Sequence, residues 1–169
     1  MSHKNVLAVD VGASSGRVML GNFDGNRLSI QEIHRFPNDP VILNGTMYWD
    51  FLRLFYEVKQ GLMKAKKYGK IDSIGVDTWG VDFGLIDKEG NLLENPVHYR
   101  DARTAGMLEK SFGKMDKDRF YQITGSQFME INTVFQLLAL LEKRPGLLEG
   151  TSRLLLMPDL FNYYLCGAQ

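Results

Sequence analysis

The sequence is poor in cysteine, in net charge and in long apolar runs. Its single cysteine, Cys166, excludes an internal disulfide and a cysteine-rich zinc site, and we expect it to be a small buried apolar residue. Twenty basic side chains balance twenty acidic ones, which removes the electrostatic footprint of a dedicated nucleic-acid binder. No apolar run approaches the roughly 20 residues of a membrane span, and the first residues lack a secretory pattern. These absences predict a cytoplasmic protein that binds neither nucleic acid nor a membrane.

The composition is that of an ordinary globular domain. Hydrophobic residues make up 44% of the 169 residues and charged residues 24%. A chain of this length buries roughly two-thirds of its unfolded surface, so it needs neither a disulfide nor a metal to fold. The three histidines show no metal-ligand spacing.

Three antiparallel strands are predicted in the first 35 residues. Residues 6–9 form a short apolar run that ends at Asp10, which is typical of a buried strand. A second strand-like segment over 17–23 leads into the hairpin signal at 24–26, after which apolar and polar residues alternate. Because a strand rather than a helix follows the small-residue loop at 12–17, the pattern does not predict a Rossmann unit.

The rest of the chain alternates between helices and strands. The predicted elements are a helix from Asp50 to about Tyr68, a second central strand over 71–77, a short strand over 83–87, two short helices within 102–125 (the second capped near Asp116 and stopped at Gly125), a helix over 132–144, a buried strand over 154–157 and a last helix opened by Pro158. This order predicts an α/β fold of the ribonuclease-H-like (actin/hexokinase) type, with a mixed sheet covered by helices on both faces.

The first candidate site is the small-residue loop that follows Asp10. The glycines of the segment Gly12–Arg17 let backbone N–H groups turn toward an anion, its serines add hydroxyl donors, and Arg17 adds a fixed charge for a phosphate. Asp10 stands where a carboxylate can hold Mg²⁺ through water. The spacing matches neither the P-loop nor G-x-G-x-x-G, so an ordinary polar hairpin loop is the alternative at this point.

The second candidate site is the segment Asp77–Asp82, at the end of a predicted strand. In open α/β sheets, ligands bind beyond the carboxyl ends of strands. Trp79 offers an apolar face to a sugar ring, and Gly80 lets the backbone approach a ligand. The two aspartates can accept hydrogen bonds from hydroxyl groups. A turn around a half-buried tryptophan is the alternative.

A third segment, Tyr99–Thr104, places two arginines around Asp101. This arrangement can orient a polyol, but an ion-paired helix start is the favoured interpretation.

Together these segments resemble the FGGY family of carbohydrate kinases. The matching segments are 10–18, 74–83, 99–104 and 156–161, the last with Leu165 and Gly167. The resemblance runs in order through nearly the whole chain. The first two segments are the specific ones, because many sister sugar kinases carry Gly-Thr-Thr or Gly-Thr-Gly in place of Gly12–Ser15.

The resemblance implies phosphoryl transfer from Mg-ATP to the 1-hydroxyl of a ketose. L-rhamnulose is the expected sugar, and L-fuculose or another deoxy-ketose is the alternative. The residues that this likeness assigns are Ala13, Ser14, Ser15, Gly16 and Arg17 for the phosphates of ATP, Asp10 and Arg17 for catalysis, Asp10 for the metal, and Gly80 with Trp79 and Asp82 for the sugar. The likeness also places Arg100 and Asp101 at the sugar pocket.

Family members have two ribonuclease-H-like domains, and the likeness places the catalytic aspartate, the adenine pocket and the second phosphate loop after Gln169. We therefore expect residues 1–169 to be a truncated N-terminal FGGY kinase domain, limited to the core of the first domain. The C-terminal domain is its missing partner, and this part is expected to be inactive by itself.

Two other functions remain as alternatives. A metal-dependent nuclease of the same fold would use Asp10, Asp77 and Asp82 as a carboxylate cluster. Two features argue against a nuclease. It does not need the loop with Arg17, and a protein that binds nucleic acid is not expected to have zero net charge. A non-catalytic sugar-binding fragment stays open.

Overall fold

A computed structural model of the chain describes residues 3–167. Its strands are β1 (Lys4–Val11), β2 (Ser15–Phe23), β3 (Leu28–Pro37), β4 (Val41–Leu43), β5 (Thr46–Tyr48), β6 (Ser73–Thr78), β7 (Phe83–Ile86) and β8 (Arg153–Leu156). Its α-helices are α1 (Phe51–Ala65), α2 (Met107–Phe112), α3 (Lys117–Thr124), α4 (Thr133–Lys143), α5 (Pro145–Glu149) and α6 (Met157–Cys166). No helix in this range is both long and apolar enough to cross a membrane.

The main sheet is mixed and has the order β3-β2-β1-β6. Strand β2 is antiparallel to both β1 and β3, which confirms the three antiparallel strands predicted at the start of the chain. Strand β1 pairs in parallel with β6, from Val6 beside Ser73 to Val11 beside Thr78. The carboxyl ends of β1 and β6 therefore lie side by side.

Helices cover one face of this sheet. Leu7, Val9 and Val11 of β1 are buried and alternate with more exposed residues, as in a strand with a single buried face. Helix α1 packs on β2 and β3, α6 packs on β6, and the two helices meet through the rings of Phe51 and Phe161, whose centroids are 5.0 Å apart. A mixed sheet flanked by helices is thus confirmed. Ala8, on the opposite face of β1, is exposed.

Helix α1 is held against the sheet by close packing and by one buried polar contact. Gly61 lies so near Val18 that a Cβ atom there would fall 2.3 Å from a valine methyl carbon, so only glycine permits this approach. The buried Glu57 carboxylate lies 2.7 Å from Nε2 of His34 on β3. Burial raises the pKa of Glu57, but its hydrogen bonds with His34 and Arg53 outweigh burial and bring that pKa below its ordinary value.

The chain divides into two compact units. The first contains the residues up to Val41, Trp49–Gly80 and those from Met157 onward, and the second contains Ile42–Tyr48 and Val81–Leu156. The second unit has its own core around the buried Phe135 and Ala139, and α4 packs there against α2 and α5. Strands β7 and β8 form a separate antiparallel pair in this unit.

Local signals predicted most helix ends, although α1 ends at Ala65 rather than near Tyr68 and α6 begins at Met157, one residue before Pro158. Asp50 caps α1, and Asp116 caps α3, which ends at Gly125 with a positive φ of 61°. Asn132 precedes α4, as predicted.

Burial was predicted less well. Strand β6 lies at an edge of the main sheet within residues 3–167, not at its centre. In the described part of the chain β8 pairs with β7 alone, and Leu154 and Leu156 are 39% and 42% exposed rather than buried. Cys166 is exposed as well. An apolar run indicates a strand, but it does not tell how many neighbours cover that strand.

Candidate functional site: a strand-end loop and a strained turn

The turn between β1 and β2 is tied back by its own backbone and by Asn38. The N–H of Gly12 donates to the carbonyl oxygen of Ser15 at 2.9 Å. Asn38, directly after β3, donates its backbone N–H to the Ser14 carbonyl at 3.1 Å and its side-chain Nδ2 to the Gly12 carbonyl at 2.8 Å. Three carbonyl oxygens of the turn are therefore already bonded within the protein.

Two donors of the same turn remain without a protein partner. No group in residues 3–167 accepts a hydrogen bond from the backbone N–H of Ala13 or of Ser14, and both residues are exposed. Successive unpartnered N–H groups in a turn make a concavity that suits the oxygens of a phosphate. Because the neighbouring carbonyl oxygens are occupied, this turn presents donors to solvent and fits an anion.

The strand register aligns three charged residues beside this turn. Asp10 is paired with Arg17 across β1 and β2, and with Asp77 across β1 and β6. Paired residues point to the same side of a sheet, and here that is the side not covered by helices. The guanidinium Nε of Arg17 lies 3.7 Å from Oδ2 of Asp10, and the two side chains are 39% and 48% exposed. Both are thus accessible to a ligand.

Trp79 and Gly80 follow β6 in the same unit. The ring of Trp79 rests on the fully buried ring of Trp49, with centroids 4.0 Å apart and planes tilted by 36°. Trp79 itself is partly exposed. Gly80 is exposed, and a Cβ atom built there would meet nothing within 4 Å. An aromatic ring backed by a rigid neighbour, next to open backbone, suits the apolar face of a sugar.

The next residue, Val81, has a strained backbone. Its φ of 70° lies in the left-handed region, where a β-branched residue is an outlier. Such a conformation costs about 1–3 kcal/mol and persists only when its surroundings fix it. Its carbonyl oxygen accepts hydrogen bonds from Oγ1 of Thr133 at 2.7 Å and from Nε2 of Gln136 at 3.3 Å. These two side chains fix the turn.

Asp82 stands at the centre of a buried polar network in the second unit. It is fully buried; Oδ1 accepts from Nε2 of Gln136 at 2.9 Å, and Oδ2 accepts from the Tyr99 N–H at 3.2 Å. The Oε1 atom of the equally buried Gln136 accepts from Nη2 of Arg103 at 2.6 Å. Burial lowers the pKa of the Arg103 guanidinium, against the opposing effect of nearby Asp101 and Asp82.

The third predicted segment is a capped turn rather than an ion pair. Asp101 is buried, and its carboxylate accepts from the N–H groups of Arg103 at 2.9 Å and of Met47 at 2.8 Å. Arg100 is exposed, and its guanidinium lies 5.4 Å from the centre of the Tyr99 ring.

Carboxylates do not gather into a metal cage. Within residues 3–167, no three His, Cys, Asp or Glu side chains are placed to hold a metal. Asp82 is fully buried and both of its carboxylate oxygens accept hydrogen bonds from protein groups, which argues against its use as a metal ligand in a nuclease. Asp10 and Asp77 do offer carboxylate oxygens side by side, which suits a Mg²⁺ ion that keeps most of its waters and shares phosphate oxygens.

Comparison with known proteins decides the family. A model of the N-terminal domain of the FGGY family of carbohydrate kinases matches residues 5–169. The chain belongs to this family. The resemblance drawn from the loop and from the segment around Trp79 is thereby confirmed.

Among curated FGGY relatives, a rhamnulokinase from Oceanobacillus iheyensis is 43% identical over 162 residues. The match covers 95% of this chain but only 34% of that protein. The chain thus spans about a third of the length of the curated relative it matches.

Solved structures of two sugar kinases share the fold. A gluconate kinase from Lactobacillus acidophilus matches 96% of this chain and 33% of its own, with a TM-score of 0.81 at 16% identity. A xylulose kinase from Rhodospirillum rubrum matches 95% of this chain and 34% of its own, with a TM-score of 0.80 at 15% identity. At this identity the likeness shows the fold alone, and it confirms the predicted fold class.

Sequence reasoning missed Asn38 and Gln136. Asn38 precedes Asp39 and Pro40, which is typical of any turn, so nothing local marked it. Gln136 did carry a signal, because it is a single polar residue inside the apolar run 134–141. A polar residue within a buried helix stripe requires buried partners.

Proposed function

We propose that the chain is the phosphate- and sugar-contacting part of an ATP-dependent rhamnulokinase. The reaction transfers the γ-phosphoryl group of ATP to the 1-hydroxyl of L-rhamnulose and yields L-rhamnulose 1-phosphate and ADP. Support comes from the family, from the 43% identity with a rhamnulokinase, and above all from the two exposed, unpartnered N–H groups of Ala13 and Ser14 beside Arg17.

Phosphoryl transfer asks a protein mainly for positioning and for charge neutralisation. In this proposal the N–H groups of Ala13 and Ser14 and the hydroxyl groups of Ser14 and Ser15 contact the phosphate oxygens, and Gly16, which is buried against Phe36, holds the end of the turn in place. Arg17 adds a permanent positive charge that stays partly exposed next to the phosphate oxygens. Asp10, with Asp77 beside it, would hold Mg²⁺ through its waters, and the ion would supply further charge neutralisation.

For the sugar, we assign Trp79 and Gly80 as contacts and give Asp82 a different role. Trp79 offers a ring that Trp49 holds in place, and Gly80 offers accessible backbone. Asp82 is fully buried with both carboxylate oxygens already bonded, so we assign it to holding the turn at Val81 rather than to contacting hydroxyls.

The general base is proposed to lie outside residues 1–169, by likeness to the family. Loss of a general base costs about 10²–10⁴ in rate, and loss of the opposite wall of the cleft adds to that. We therefore expect the purified 169-residue chain to bind ligands without turnover. Detectable ATP-dependent phosphorylation of L-rhamnulose by this chain would refute that expectation.

The activity is tested on the protein at its natural length, by coupled detection of ADP with L-rhamnulose, L-fuculose, D-xylulose and glycerol. We expect the highest kcat/KM with L-rhamnulose, because a polar pocket that loses one hydroxyl partner rejects a sugar strongly. A preference for L-fuculose would favour a sister kinase, and no ADP with any sugar would contradict the proposal.

Two arginine variants connect the activity to the loop. Arg17→Gln removes the charge beside the turn and should lower kcat/KM for ATP at least tenfold. Arg27→Gln makes the same change at the exposed hairpin between β2 and β3, at the far end of these strands, and should leave kcat/KM unchanged. Equal effects of the two variants would contradict the assignment of the loop.

A further inference from the structure

We propose that Asn38 is a positioning residue that keeps the turn Gly12–Ser15 in its anion-binding form; this inference rests on the proposed function. Asn38 is 2% exposed and follows β3 directly. It reaches the turn twice, through its backbone N–H to Ser14 and through its side-chain Nδ2 to Gly12. No other side chain in residues 3–167 donates to the carbonyl oxygens of this turn.

The hydrogen bond from the Asn38 side chain keeps the Gly12 carbonyl oxygen from facing a bound phosphate. The Gly12 carbonyl oxygen carries a partial negative charge, and a phosphate would repel it. The amide of Asn38 occupies that oxygen at 2.8 Å and so fixes the peptide plane between Gly12 and Ala13. This is the peptide that carries the free N–H of Ala13, so Asn38 directly orients a proposed phosphate donor.

The orientation of the Asn38 amide is set by this contact. Only the nitrogen end can pair with a carbonyl oxygen, and the opposite atom, Oδ1, is buried without a hydrogen-bond partner among residues 3–167. An unpaired buried acceptor costs free energy, so the placement of Nδ2 against the Gly12 carbonyl leaves Oδ1 in an unfavourable environment. The Asn38 amide therefore contributes to the structure through its Nδ2 contact with the turn Gly12–Ser15 and not through Oδ1.

The platform that carries Asn38 is rigid. Ser15 pairs with Pro37, and Gly16 pairs with Phe36, across β2 and β3. The buried Phe36 ring lies directly against Gly16, where a Cβ atom would fall 2.2 Å from a ring carbon. Asn38 thus projects from a strand end that cannot shift relative to the turn without breaking these contacts.

Three variants test the proposal in the protein at its natural length. Asn38→Ala removes the side-chain bond but keeps the backbone bond to Ser14. Asn38→Asp is isosteric, lacks the donor and adds a negative charge. Asn22→Ala is the matched control, since Asn22 donates its Nδ2 to Asn5 at 2.7 Å near the opposite end of β2.

We expect Asn38→Ala to raise KM for ATP about three- to tenfold, the effect of one lost hydrogen bond, while KM for L-rhamnulose stays within about twofold. Asn38→Asp should raise KM for ATP further, and the excess over alanine should shrink at high salt because ions screen the added charge. Asn22→Ala should leave both KM values unchanged. A purely structural role would not produce this dependence on ATP and salt.

The inference is overturned if an active enzyme shows unchanged KM for ATP in both Asn38 variants, or if both substrates are affected equally. Failure of the proposed function would show itself differently, as absence of ATP-dependent phosphorylation in the unmodified protein. In that case the inference is judged on the 169-residue chain, by the affinity of tripolyphosphate for it. A weaker affinity in Asn38→Ala than in Asn22→Ala supports the positioning role, and equal affinities refute it.

Discussion

Replacement of Gln136 by methionine should destabilise the second unit strongly. The Nε2 group of Gln136 donates to the Asp82 carboxylate at 2.9 Å and to the Ile131 carbonyl at 2.8 Å, and also to the strained Val81 at 3.3 Å. Its Oε1 atom accepts from Arg103 at 2.6 Å. Methionine fills a similar volume, so the cost comes from the buried groups left unpaired and not from a cavity.

The magnitude follows from those groups. Loss of a hydrogen bond to a buried charged group costs about 1.5–3 kcal/mol, and here both Asp82 and Arg103 lose one; each neutral buried group left unpaired adds about 1–3 kcal/mol before relaxation. Since Asp82 keeps the Tyr99 N–H and neighbours relax, we expect a loss of about 3–5 kcal/mol in the free energy of unfolding.

The assay is urea denaturation followed by far-ultraviolet circular dichroism, because helices α2–α5 all belong to the second unit. Gln122→Met is the control, since Gln122 is exposed on α3 and the same change there should cost within about 0.5 kcal/mol. A loss below about 1 kcal/mol in Gln136→Met, or equal losses in the two variants, would refute the reasoning.

Three further predictions concern packing and pH. Gly16→Ala should cost about 1–3 kcal/mol because its Cβ would collide with the Phe36 ring, whereas Gly75→Ala on β6, where a Cβ meets nothing within 4 Å, should be neutral or slightly stabilising; equal Tm shifts would contradict this. Burial lowers the pKa of His98, so the unfolded chain binds protons more readily than the folded one, and the free energy of unfolding should fall as the pH drops below 6.5. His98→Gln should remove this fall in the free energy of unfolding, and an unchanged dependence of that free energy on pH in the variant would contradict the role of His98. The pKa of Glu57 is lowered, so its contribution to the free energy of unfolding is present above pH 4.5 and is lost as the pH falls through the lower pKa of the folded state. Glu57→Gln should therefore weaken the dependence of that free energy on pH below 4.5, and an equally steep fall in the variant would contradict a stabilising role of Glu57.

Features decided by neighbours in the chain were predictable from the sequence. The cap at Asp116 and the positive φ at Gly125 each depend on a few adjacent residues. The loop after β1 is also local, since the closing bond from Gly12 reaches only to Ser15. For these elements residue type alone carries the information.

Features decided by distant partners were not predictable. Asp82 looked like a free hydroxyl acceptor, but it is buried against Gln136, 54 positions further along the chain. The contact between Asn38 and Gly12 spans 26 positions. The exposure of Leu154 and Leu156 likewise depends on which strands lie beside β8, and a single sequence does not carry that pairing.

The most direct test of the phosphate-binding loop is a titration of the ¹⁵N-labelled 169-residue chain with tripolyphosphate. We predict that the amide signals of Ala13 and Ser14 move first and furthest, and that Arg17→Gln weakens this response while Arg27→Gln does not. A well-dispersed spectrum in which the signals of Ala13 and Ser14 stay still would contradict the assignment of this loop to phosphate binding.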